Sequence, residues 1–216
     1  MTLINVVYIP TGIVLSADSR TSGNGFIVSD STNKLFLLFN KIGVATAGAA
    51  LINLKPIEHY VKEFEMLMWE KLSDASVKDV TDELYDYFKN IVIGEQYIFF
   101  FVAGYEFGTP IVNSFDTMGE KEIFSRNTDK DDNLIYGAAW QGDTEIVNRL
   151  RSENHMPLYI AMNVQDAIDY SRHLIRTTID QLRFEPRFPT VGGEIETILV
   201  QPTGGGYIYK KGLTYK

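Results

Sequence analysis

Cysteine is absent from all 216 residues. That excludes disulfide frameworks, cysteine nucleophiles and thiolate zinc sites, and it fits a reducing compartment. Histidine is scarce, with three copies. His59 and His173 fall off the apolar stripes of the helices they would occupy, and His155 sits in a polar stretch. With no G-x-S-x-G motif either, a Ser-His-Asp hydrolase has no support, and no His/Asp/Glu cluster has metal-ligand spacing. A basic excess is lacking as well: 28 acidic against 20 basic residues give a net charge of −8. The Lys and Arg residues are scattered, so no stripe suits a phosphate backbone. Long apolar runs are missing too. Leu3 to Leu15 is broken by Asn5 and Pro10 and has no Lys or Arg before it, unlike a signal peptide. Nothing approaches the roughly 18–20 apolar residues of a membrane span. "GNGFIV" lacks the third glycine of a dinucleotide fingerprint. The chain reads as a soluble, cytoplasmic protein that engages neither nucleic acid nor membrane.

What is present is ordered. The length suits one domain over 1–216, able to bury roughly 70–75% of its unfolded surface without a covalent staple. Strands are predicted over 2–8, 12–19, 34–39, 41–47, 97–104, 110–115, 121–125, 134–138, 194–200 and 206–210, with Gly204 to Gly206 read as a turn. A helical region over 49–72, interrupted at Pro56, carries a stripe of Ile57, Tyr60, Val61, Phe64, Leu67 and Met68. A second helix starts at the cap Ser76, with Asp79 three residues on, and its stripe runs Val77, Val80, Leu84, Phe88, Ile91. Helical pattern returns over 143–153 and again from the cap Asn163 to Leu182. Strands apolar on both faces, with helices in blocks, predict an α/β fold in four layers: two stacked, mainly antiparallel sheets with helices outside.

The stretch "GIVLSADSRTSGNG" (12–25) ends a strongly apolar strand on Asp18 and Arg20. Buried charges there are costly unless paired. The tetrad Ile9-Pro10-Thr11-Gly12 has the Pro and Gly placement of a type I turn, so the first two strands form a hairpin. Opposite residues whose numbers sum to 20, or to 22 with a bulge, would put Thr2 and Asp18 on one face; an odd sum would separate them. Thr2 follows the initiator Met, and a small second residue permits Met removal. The product would carry a hydroxyl and an α-amine on one residue. An α-amine titrates at about 7.7–8.0, close enough to neutrality to accept the hydroxyl proton. Lys34 opens the third strand, where a cation would pair with Asp18 and lower the amine's proton affinity by repulsion. "TAGAA" (46–50) would pass from strand to helix, putting the Gly48 N–H at a helix N-terminus, suited to an oxyanion.

These residues resemble the proteasome β-subunits and their bacterial relatives, within the N-terminal-nucleophile hydrolases. The likeness runs from Thr2 through "GIVLSADSR", "TSGNG", Lys34 and "TAG" (46–48), is sharp over the first fifty residues, and extends to "MNVQDAIDYSRHLI" (162–175). It implies a four-layer αββα fold and a threonine-type peptidase that works through an acyl-enzyme without a cofactor. Thr2 would be the nucleophile, with Asp18, Lys34 and Gly48 completing the catalytic set. Thr21 and Thr46 would bind substrate, Thr46 facing a pocket for a modestly sized side chain that is not strongly charged. Peptides or unfolded proteins would be the substrates, hidden inside a homo-oligomeric ring or spiral and fed by an AAA+ unfoldase. The same fold also admits a non-catalytic structural or assembly subunit, or a hydrolase of small amides. Active members carry an Asp and, three residues later, Ser-Gly-Gly near the C-terminus. "FPTVGG" here puts Phe188 and Val191 at those places, and "AAWQGD" (138–143) lacks the Ser of the family's "AAGSGS"-like loop.

Overall fold

The computed structural model describes residues 2–23, 25–92, 94, 96–151 and 156–210; Met1, whose removal would expose the Thr2 amine, and His155 lie outside them. Among the described residues, fourteen strands and four α-helices follow in chain order: β1 Leu3–Ile9, β2 Gly12–Asp18, β3 Thr21–Gly23, β4 Phe26–Ser29, β5 Leu35–Leu38, β6 Ile42–Gly48, β7 Leu51–Ile52, β8 Lys55–Pro56, α1 Ile57–Leu72, α2 Val77–Ile91, β9 Ile98–Glu106, β10 Thr109–Asp116, β11 Phe124–Ser125, β12 Gly137–Gly142, α3 Glu145–Leu150, α4 Val164–Leu182, β13 Ile195–Gln201 and β14 Gly204–Tyr209. Two five-stranded antiparallel sheets result, one ordered β12-β1-β2-β13-β14 and the other β11-β10-β9-β6-β5. Among the described residues no helix is long and apolar enough to cross a membrane.

The two-sided apolar strands explain the layering. Ile4, Val6, Leu15 and Ile198 of the first sheet meet Leu35, Ala45, Phe99 and Phe101 of the second in one buried layer. The far face of the second sheet, with Val44, Phe100 and Val102, packs on Phe64 of α1 and Leu84 and Phe88 of α2. The far face of the first sheet buries Leu3 with Val147 of α3 and with Leu174 and Ile175 of α4. The order helices, sheet, sheet, helices is the expected four-layer αββα sandwich. Phe99 to Phe101 are core, as their density of apolar area requires.

Local signals set the helix ends. The Ser76 hydroxyl accepts the Asp79 N–H at 3.0 Å, and Asn163 forms a full capping box with Asp166. Where the structure departs from the sequence reading, the causes lie in the turns. The first hairpin closes Ile9 on Gly12 through a two-residue loop, so opposite residues sum to 21: Ile4 faces Ala17 and Val6 faces Leu15. The even registers are therefore wrong, because a four-residue turn closing on its own ends imposes an odd sum. No helix starts at residue 49. Asn53 and Leu54 take positive φ in a small β7–β8 hairpin, and Pro56 holds the chain extended, so α1 waits until Ile57. Its stripe centres on Val61, Phe64 and Met68, which leaves Leu67 at the margin and exposed. Phe124–Ser125 and Gly137–Gly142 replace the strands read over 121–125 and 134–138. Gly204 to Gly206 are strand, not turn. Pro202 and Thr203 make the turn, and the bare glycines let β14 lie against Leu37, which a Cβ at Gly205 would strike at 2.6 Å.

Replacing Asn163 by Ala removes the cap acceptor of α4 and should cost about 1 kcal/mol, read as a lower urea midpoint at unchanged slope.

Candidate active site

Asp18 is the last residue of β2, and its carboxylate is buried with its side chain wholly shielded from solvent. Its Oδ1 accepts the Thr2 hydroxyl at 2.5 Å, the Leu3 N–H at 3.0 Å and the Lys34 ammonium at 2.7 Å. Its Oδ2 accepts the backbone N–H groups of Arg20 at 3.2 Å and Gly192 at 3.0 Å. The odd register leaves Thr2 one step beyond β1, where strand alternation no longer governs the side chain, and the hydroxyl reaches Asp18 directly. Arg20 is not Asp18's ion-pair partner, as a strand-end salt bridge would have it. Its guanidinium pairs with Asp30, at 2.6 and 2.9 Å, and donates to the Pro189 carbonyl.

Lys34 enters from the second sheet, immediately before β5. Its carbonyl accepts the Thr46 N–H of β6 at 2.9 Å, and its ammonium also donates to the Arg20 carbonyl at 2.6 Å. The Thr2 hydroxyl and the Lys34 ammonium therefore share one carboxylate oxygen. A cavity of about 450 Å³ opens beside them, and Thr2, Thr21, Lys34, Thr46 and Gly48 all line it. Asp18 sits behind this wall. Five of the six candidate residues thus face one space, and the sixth bonds two of them from behind.

Gly48 occupies the last position of β6, opposite Ile98, and not a helix N-terminus. A glycine is needed there: φ is +108°, and a Cβ would lie 2.3 Å from the Tyr97 carbonyl oxygen. The helix expected after it is displaced to Ile57, whose first turn, with Pro56, Ile57 and Glu58, forms a wall of the same cavity. Asn33 donates to the Glu58 carboxylate at 2.8 Å on that wall.

Sequence reasoning missed a second charged group. β12 pairs with β1 so that Gly142 faces Leu3, and the next residue, Asp143, donates its N–H to the Thr2 carbonyl at 2.7 Å. Gly142 is at φ +113°, and a Cβ there would sit on the Thr2 carbonyl oxygen. The Asp143 carboxylate is buried, accepts the Thr190 hydroxyl in a short hydrogen bond, and takes two bonds from Arg187 at 2.7 and 3.2 Å. Burial alone would raise its pKa, but Arg187 and Thr190 outweigh that and hold it below the usual carboxylate range. The signal available in the sequence was the acidic residue closing "AAWQGD". Only the β12–β1 ladder brings it to Thr2. Among the described residues no group of three or more His, Asp or Glu is arranged to hold a metal ion.

Two outcomes follow. Asp18→Ala strands a buried ammonium and should destabilise the fold by about 3–5 kcal/mol, measured by urea unfolding. Asp143 has a lower pKa folded than unfolded, so its contribution is complete above about pH 4 and fades as pH falls through the folded value. The stability difference between wild type and Asp143→Asn should therefore be largest at neutral pH and shrink in acid, as read by unfolding curves at a series of pH values.

No family model matches this chain. Among curated proteins it is similar to "Proteasome subunit beta 2" of Korarchaeum cryptofilum (strain OPF8), at 57% identity over 37 residues. That stretch is 17% of this chain and 19% of the relative, so the match spans about a fifth of the relative's length. The likeness supports a proteasome-like relationship at that coarse level and does not bear on a narrower bacterial kinship.

Proposed function

We propose that this chain is a proteasome-like threonine peptidase whose nucleophile is the Thr2 hydroxyl, released for reaction when Met1 is removed. The observation that carries the reading is the convergence of the Thr2 hydroxyl and the Lys34 ammonium on Asp18 Oδ1, at the wall of a cavity. A proteasome β subunit is also what the short 57% match resembles.

Removal of Met1 converts the Thr2 amide nitrogen into an amine. The hydroxyl oxygen attacks the substrate carbonyl carbon while its proton passes to that amine. The tetrahedral oxyanion is met by a backbone N–H at Gly48, and collapse breaks the C–N bond as the amine returns the proton to the departing nitrogen. An ester on Thr2 remains, and water attacks it by the same route in reverse. Lys34 keeps a positive charge beside the hydroxyl and disfavours protonation of the amine, and Asp18 holds Lys34 in place. The whole chain, 1–216, acts as one domain. Thr21 and Thr46 hold the substrate, with Thr46 at the pocket for the residue preceding the cleaved bond. The setting is cytoplasmic, within a homo-oligomeric ring or spiral, fed by an AAA+ unfoldase with peptides or unfolded chains.

The test is the intact mass of the protein from its native host before and after a peptide epoxyketone, which needs both the free amine and the hydroxyl to close its ring. Loss of Met1 and one adduct per chain are expected, abolished in Thr2→Ala and slowed on the order of 100-fold or more in Lys34→Ala. Retained Met1 with no adduct would instead favour a non-catalytic subunit of the same fold.

A further inference from the structure

We infer that Asp143, latched by Thr190 and Arg187, is the positioning residue for Thr2: its N–H fixes the Thr2 backbone, and the same residue carries a second buried negative charge into this end of the molecule. The inference rests on the reading of Thr2 as the nucleophile. It also supplies a carboxylate and a hydroxyl at the end of the molecule where Phe188 and Val191 offer neither.

Three separate stretches of chain build the latch. The β12–β1 ladder delivers Asp143 to the Thr2 carbonyl. The segment after α4 delivers Arg187 and Thr190 to the Asp143 carboxylate. Gly192, two residues past Thr190, donates to Asp18, and the Ser19 N–H returns to the Gly192 carbonyl at 3.1 Å. The 190–192 segment thus holds the carboxylates of both acidic residues that bond Thr2, Asp18 through its side chain and Asp143 through its backbone N–H. A carboxylate at this depth is not there for surface charge. Its side chain is 4% exposed, and its partner Arg187 is braced in turn by Glu185 at 2.6 Å and Glu145 at 3.7 Å.

Charged groups from several elements gather around this end of the molecule. Asp18 and Lys34 come from β2 and the start of β5, and they offset each other. Asp143 comes from the loop after β12, and Arg187 from the segment after α4. Glu145 and Arg149, both exposed, and the partly buried Glu185 form an outer group around Arg187. Arg20, paired with Asp30, and Glu58, bonded by Asn33, line the same cavity as Thr2. Neutralising Asp143 alone makes this environment one unit more positive and leaves Arg187 less compensated. A Thr2 amine in that field binds its proton less tightly. Thr190 orients the carboxylate, so losing its hydroxyl should loosen Thr2 without changing the charge.

The experiment follows adduct formation between the full-length, Met1-free protein and a leucine-terminated peptide epoxyketone, by intact mass, from pH 5 to pH 9, beside melting curves. In Asp143→Asn the acidic limb of the rate profile should move down by about one pH unit. The plateau should fall on the order of tenfold as positioning is lost. Thr190→Val should lower the plateau similarly with the limb unmoved, and Thr190→Ser should restore it, which keeps the inference testable where Asp143→Asn does not fold. An unmoved profile in Asp143→Asn and in Thr190→Val overturns the inference. So does an equal loss of rate at every pH in Asp143→Asn that tracks a lower Tm, or a Thr190→Val loss that Thr190→Ser does not restore, since either marks a merely structural role. Wild type that forms no adduct overturns the assignment of Thr2, and this one with it; a reactive wild type beside unaltered variants overturns this one alone.

Discussion

The Asp18 carboxylate accepts five hydrogen bonds, from Thr2, Leu3, Arg20, Lys34 and Gly192, and the organisation of one end of the sandwich follows from it. A lone charge in so dry a place would cost many kcal/mol, so the fold must bring donors to it. The donors come from both sheets and from the segment leading into β13. Lys34 is the decisive one, because it belongs to the second sheet while Asp18 belongs to the first. The contacts between the sheets are mostly apolar. An ion pair among them pins the two sheets at one point, and that point is where the cavity opens.

Around this pin, backbone close approach is as demanding as charge. Gly48 must pass under the Tyr97 carbonyl and Gly142 under the Thr2 carbonyl, each in a left-handed conformation that would drive any Cβ into an oxygen. These two passages set the edge of the cavity and the entry of Asp143. The segment over 187–192 then ties the pieces together, with Arg187 and Thr190 on Asp143 and Gly192 on Asp18. Two buried carboxylates with separate partners therefore bracket the first described residue of the chain. One bonds its hydroxyl, and the backbone of the other bonds its carbonyl.

Much of the architecture was legible because it rests on short-range chemistry. The caps at Ser76 and Asn163 act over three residues, and the apolar stripes of α2 and α4 repeat within a few turns. The two-sided apolar strands announced two covered faces for each sheet. The failures share a cause. The register of the first hairpin, the β7–β8 hairpin in place of a helix start, and the strand role of Gly204 to Gly206 depend on which backbone neighbours close a turn. Composition says that a turn is present and leaves its closing pair open.

The candidate site divides along the same line. By itself the sequence determined the residue types and their spacing, Thr2, Asp18, Lys34 and Gly48, and the need for Asp18 to find a cation, because burial of a charge is set by the strand that carries it. It also carried the four-layer arrangement, which apolar periodicity dictates. Only the tertiary structure decided that Arg20 turns away to Asp30, that Thr2 reaches Asp18 despite an odd register, and that Asp143, Thr190 and Arg187 gather behind Thr2. Those contacts join residues far apart in the chain, and no local propensity encodes them. They exist because β12 is hydrogen-bonded to β1 and because the segment after α4 returns to the end of β2.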